Sequence, residues 1–140
     1  MVKSNTSTIV QEFCDCTLPK SAWTHEAHLR VGLWHLMHYS SQTALNLLRE
    51  CIQRYNIVCG VVNTETSGYH ETITQFYLKV IIYFLEQHDV SQPIDQLAET
   101  LIEEWGERHL PLIYYSKDRL MSKAARQCWV EPDLAQMPGV

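Results

Sequence analysis

Residues 68–87 carry the pattern that most constrains the fold. Ile73, Tyr77, Val80, Ile81 and Phe84 recur at helical spacing, and Leu78, Ile82 and Leu85 widen the stripe on its flanks. An apolar face that wide leaves no solvated half, so it marks a helix covered on most sides. Three further segments can provide the cover. Residues 22–39 place Leu29, Leu33, Leu36 and Met37 on one face. Residues 42–57 place Ala44, Leu45, Leu48, Cys51, Ile52 and Tyr55 inward and Asn46, Arg49, Glu50, Gln53 and Arg54 outward. Residues 93–108 open on Pro93, a natural first-turn residue, and turn Ile94, Leu97, Leu101 and Trp105 inward. A short helix over 7–15 precedes these and is broken at Leu18-Pro19-Lys20. Short helical turns follow from Leu110, the last capped by Ser122 and reaching Cys128, before an irregular tail. No segment alternates as a half-buried strand does. The expectation is an all-α, up-down-up-down helical bundle with extra short N- and C-terminal helices, one domain over residues 1–140.

Charge excludes two partner classes. The chain carries a net charge of -5 with no Lys/Arg cluster. Nucleic-acid binding needs a basic stripe, and an anionic membrane surface asks for the same. The longest apolar run, 80–85, cannot span a bilayer, and no run of leader length follows Met1, so the expected location is cytoplasmic. Five cysteines, an odd number, argue against a disulfide framework. Cys14-x-Cys16 is too closely spaced for a zinc knuckle, and most of the thiols read as small buried apolar groups.

The bundle topology brings chemistry to one end. The starts of the first and third long helices lie there with the ends of the second and fourth. The residues gathered are Trp23, Thr24, His25, Glu26 and His28, the loop 59–67 with Asn63, then Tyr69, His70, Glu71 and Thr74, and the segment 109–119 with Tyr115 and Arg119. At 100° per residue His25 shares a row with Leu29 and Leu36, and His70 shares one with Ile73, Tyr77 and Phe84, so both face inward. Glu71 falls at the edge of the wide stripe, and His28 falls on a flank beside the row of His35. A helix N-terminus disfavours an imidazolium in its first turn. That leaves the neutral ring a metal ligand or general base requires.

Two histidines and one carboxylate form the ligand set of non-haem iron and catalytic zinc sites. The first expectation is therefore a small enzyme acting on a small organic molecule with one divalent metal, Fe, Zn or Mn. His25, His70 and Glu71 would be ligands, with His28 as an extra one, and Trp23, Asn63, Tyr69, Thr74, Tyr115 and Arg119 would bind substrate. The alternative is metal-free acid–base catalysis of the cyclase, isomerase or dehydratase type, with His70 or His25 as base and Glu71 as an acid raised by burial. The third reading is a non-catalytic small-molecule binder or adaptor, with Phe76 and Tyr83 exposed on the 68–87 helix as a homodimer face. Against all three stand plain structural roles: histidines satisfied by carbonyls, Glu71 favouring a helix start, tyrosines as packing. His25-Glu26-Ala27-His28 is one residue too short to be a zinc-protease signature.

Three segments carry a resemblance: Trp23-Thr24-His25-Glu26-Ala27-His28-Leu29, Tyr69-His70-Glu71-Thr72, and Tyr115-Ser116-Lys117-Asp118-Arg119-Leu120 through Glu131-Pro132-Asp133-Leu134. Together they resemble a family of small, largely uncharacterised bacterial all-helical proteins with W-[ST]-H-x-x-H-L, Y-H-E-T and Y-S-x-x-x-L…E-P-D-L segments. The resemblance implies a shared design across nearly the whole chain and no particular reaction.

Overall fold

The computed structural model describes residues 5–139, and the described residues are all-α, with helices and no strand. The helices are α1 (Thr6–Cys14), α2 (His25–His38), α3 (Ser41–Val58), α4 (Glu71–Glu86), α5 (Ile94–Trp105) and three short turns, α6 (Pro111–Tyr114), α7 (Lys117–Leu120) and α8 (Lys123–Gln127). Their starts follow local chemistry. Asn5, Thr24, Ser40, Ser116 and Ser122 each accept the backbone N–H three residues on, relieving one of the unpaired donors of a first turn. α5 follows Pro93, and α6 has its proline in the first turn. α1 ends in a turn where Cys16 takes a left-handed φ of 60°, letting Thr17 and Leu18 both donate to the Glu12 carbonyl.

α4 is the hub that its wide stripe implies. Leu78 joins a core cluster with Val10, Phe13, Leu48 and Tyr55 of α1 and α3. Ile81 and Phe84 join Leu29, Leu33, Leu97 and Leu101 of α2 and α5. Phe76 and Val80 join Leu110, Tyr115, Leu120 and Met137 from the C-terminal third. Fully burying a side chain of this size contributes about 1.5–3 kcal/mol, so the third cluster is a substantial part of the fold. It also corrects an expectation. Phe76 is 0 % exposed, not part of an open dimer face. Tyr83 is half-buried, with Trp105 edge-on to it and Gly139 against its ring. The short turns after α5 wrap over this side of α4, and a helical wheel drawn on one segment cannot anticipate that. No helix among the described residues is long and apolar enough to cross a membrane.

Candidate functional site

His70 and Glu71 are adjacent in sequence but face different neighbours. The helix begins one residue later than His70, which becomes the N-cap of α4: its Nδ1 accepts the Ile73 N–H at 3.1 Å. Its Nε2 donates to the Leu120 carbonyl at 2.7 Å, tying the start of α4 to the end of α7. An acceptor Nδ1 and a donor Nε2 define one neutral tautomer. Desolvation lowers the His70 pKa, and the charge on Arg126 adds to this against the Leu120 carbonyl. Both ring nitrogens are thus engaged inside the fold.

Glu71 turns toward α3. Arg49 clamps it with a forked guanidinium, its Nε 2.9 Å from Oε1 and its Nη2 on Oε2. The Tyr69 hydroxyl donates to Oε1 at 2.7 Å, and Gln75 donates to Oε2. Burial pushes this carboxyl up, but the hydrogen bonds from Arg49, Gln75 and Tyr69 outweigh it, and the net shift is downward. The expectation of an acid raised by burial is therefore corrected: Glu71 is held as a carboxylate. The physical reason is Arg49, which lies on the outer face of α3 yet reaches across on its long stem.

His25 lies elsewhere. It opens α2 and lines a narrow cavity of about 70 Å³ between α2, α3 and α4. The wall is otherwise largely apolar, with Leu29, Val31, Leu48, Ile73, Leu78 and Ile81 among its lining. Two of the residues that line it each carry a buried polar atom with no hydrogen-bond partner among the described residues, His25 Nε2 and the Tyr77 hydroxyl. The two rings meet edge-on with centroids 5.3 Å apart. Desolvation lowers the His25 pKa, and the Arg108 charge lowers it further against Glu107 and Glu26. Desolvation, then Glu107, raises the Tyr77 pKa. The pair is thus a neutral imidazole beside a protonated phenol, one able to take a proton and the other to give a hydrogen bond.

Trp23 and His28 form the adjoining wall. Their rings stack at 3.7 Å, and Trp23 stacks in turn on Phe13 at 4.3 Å. His28 Nδ1 donates to the Thr24 carbonyl at 2.7 Å. The residue stays exposed at its outer edge, and desolvation lowers its pKa, with the His25 charge adding to this against the Thr24 carbonyl. Outside the cavity lies an open groove of about 480 Å³ that shares Trp23, His25, His28, Ile73 and Tyr77 with it and continues to Arg108, His109 and Leu112. So the start of α2, the first turns of α4 and the segment after α5 do meet, with His25 and Tyr77 where cavity and groove join.

The remaining candidates take other positions. Thr74 lines the cavity while its hydroxyl donates to the His70 carbonyl. Asn63 organises its loop, accepting from the Tyr69 N–H and from Asn56 and donating to the Gln53 carbonyl. Tyr115 is 0 % exposed and donates to the Val130 carbonyl at 2.7 Å. Arg119 Nε donates to the Glu131 carbonyl at 2.6 Å. Neither lines the cavity or its groove. Among the described residues no three His, Cys, Asp or Glu side chains converge as a metal site requires. His25, His70 and Glu71 are directed to the cavity, to Leu120 and to Arg49 respectively. Tyr77 is the site residue the sequence pattern concealed, because it sits in an apolar stripe. Its signal was a phenol on the most buried helix, a group that needs a partner. No family model, curated protein or solved structure matches the chain.

Proposed function

We propose that the chain binds a small organic molecule where the cavity meets its groove and acts on it by proton transfer, with His25 as base and the Tyr77 hydroxyl as hydrogen-bond donor. One observation carries this reading: two residues that line one largely apolar cavity, His25 and Tyr77, each hold a buried polar atom, Nε2 and the hydroxyl, with no partner among the described residues. Leaving such a group unpaired costs about 1–3 kcal/mol. A ligand that satisfies both recovers that cost on binding, and native proteins keep unpaired groups of this kind at working sites. At roughly 30 Å³ per water-sized group, the cavity admits a short apolar end. The ligand's polar group then lies beside His25 and Tyr77, and its remainder extends along the groove under Trp23.

The test is a screen by protein-observed NMR of fragments of about five to ten heavy atoms, a size at which each atom contributes strongly to affinity. Shifts should fall on Trp23, His25, Ile73 and Tyr77. Bound fragments with a C–H next to a carbonyl should then exchange deuterium with solvent in wild type and not in His25→Leu. Fragments that bind only elsewhere would overturn the site. Binding here without exchange would leave a binding module and remove the proton transfer.

A further inference from the structure

The first core cluster contains a feature unrelated to that cavity. Cys51 is buried in it, and Cys14, Cys16 and Cys59 pack against it. Four of the five cysteines therefore share one region, where the end of α1 crosses α3. Cys14 is the last residue of α1, and Cys51 lies on the inner face of α3. The Arg54 guanidinium binds both elements through one nitrogen: Nη2 donates to the Cys14 carbonyl at 3.0 Å and lies 3.6 Å from Cys51 Sγ. Arg54 is itself half-exposed, paired at 3.6 Å with Glu50, so the Cys51 sulfur sits directly beneath a solvent-reachable cation.

We infer that Cys14 and Cys51 form a redox-active thiol pair, with Cys51 as the sulfur that attacks a hydroperoxide and Cys14 as the one that resolves it into a disulfide between α1 and α3.

The chemistry balances with the peroxide as oxidant. The Cys51 thiolate attacks one peroxide oxygen, the O–O bond breaks, and hydroxide leaves, giving a sulfenic acid on Cys51. Cys14 sulfur then attacks Cys51 Sγ. The S–O bond breaks, the Cys14 proton joins the departing hydroxide, and water leaves. The division of roles follows from the surroundings. Arg54 Nη2 lies 3.6 Å from Cys51 Sγ but reaches Cys14 at its backbone carbonyl, so the guanidinium favours the thiolate on Cys51. A thiolate under a guanidinium is the reactive kind. Cys128 is the internal control, because it is exposed and its thiol donates to the Ala124 carbonyl within its own helix turn.

The experiment treats reduced full-length protein with limiting hydrogen peroxide. Catalase stops the reaction, free thiols are alkylated, and peptides are mapped by mass spectrometry. The expected product is a crosslinked Cys14–Cys51 peptide pair, formed at least about tenfold faster than any oxidation of Cys128. Arg54→Gln, a surface change, should slow it by about threefold, and dithiothreitol should reverse it. Oxidation of Cys128 ahead of the pair, a crosslink through Cys16 or Cys59 instead, or an unchanged rate in Arg54→Gln would each overturn the assignment. Wild type supplies the main readout, so the inference does not depend on a core cysteine variant folding.

Discussion

At the scale of single residues, Tyr77 and His70 show opposite uses of a buried polar group. The Tyr77 hydroxyl is buried without a partner among the described residues. Tyr77→Phe should therefore stabilise the ligand-free protein by about 1 kcal/mol, while weakening any ligand that uses the hydroxyl. Urea unfolding and fragment titration on the same variant check both halves, and loss of stability would show that the hydroxyl is satisfied in solution. His70 is fully engaged. His70→Ala removes the cap of α4 and leaves the Leu120 carbonyl without its donor, a loss of about 2–3 kcal/mol. His70→Asn keeps a capping oxygen but cannot reach Leu120, so about half the loss should return. Equal unfolding midpoints for Ala and Asn would exclude the capping role. The direction of His25 could be read from its row, since it opens α2, whereas His70 stands before α4 as its extended cap, where no helical row applies. The fate of the His70 nitrogens could not be read either, because one partner lies 50 residues away at Leu120.

At the scale of elements, the segment before α4 depends on a glycine. Gly68 has a φ of 80°, and a Cβ there would lie 2.6 Å from Asn63 Oδ1 and 2.7 Å from the Val62 carbonyl oxygen. Its own carbonyl accepts from Arg126 on α8. Gly68→Ala then meets both backbone strain and a backbone clash, at a cost of at least about 2 kcal/mol. The loosened loop should show as faster amide exchange at Tyr69 and His70 than at α5, and protection equal to wild type would refute this. The four long helices were legible because their apolar periodicity is strong. Their sequence starts were less so at α4, where Gly68 and the His70 cap shift the first turn to Glu71. Two features had no sequence signal of that kind. Arg49 reads as an outward residue, and only the folded distance reveals its clamp on Glu71. The turns after α5 lack a long period, so their cover over Phe76 and Val80 emerges only in three dimensions.

For the whole molecule, the histidines that folding desolvates determine how stability responds to acid. His25, His35 and His70 all have pKa values lowered below 6.5, with burial as the main cause in each. A folded-state pKa below the unfolded one means the unfolded chain binds more protons across that interval. Each group then favours the native state above about pH 6.5 and ceases to do so as pH falls, with a limiting slope of about 1.4 kcal/mol per pH unit. Glu71 carries the same sign lower down. Its pKa is held below 4.5 by Arg49, Gln75 and Tyr69, so its contribution is present above that value and is lost as it protonates. His88 works in the opposite direction, raised by the Phe84 carbonyl and by Glu104, but it lies at the surface and its share is small. Acid unfolding should accordingly begin well before carboxylates titrate, with the urea midpoint falling between about pH 6.5 and pH 5. His35→Leu, a substitution away from the cavity, should flatten that slope by about one proton. A midpoint that stays level down to about pH 5 and then drops would assign acid sensitivity to the carboxylates alone. The neutral His25 on which proton transfer depends would then need direct titration by NMR.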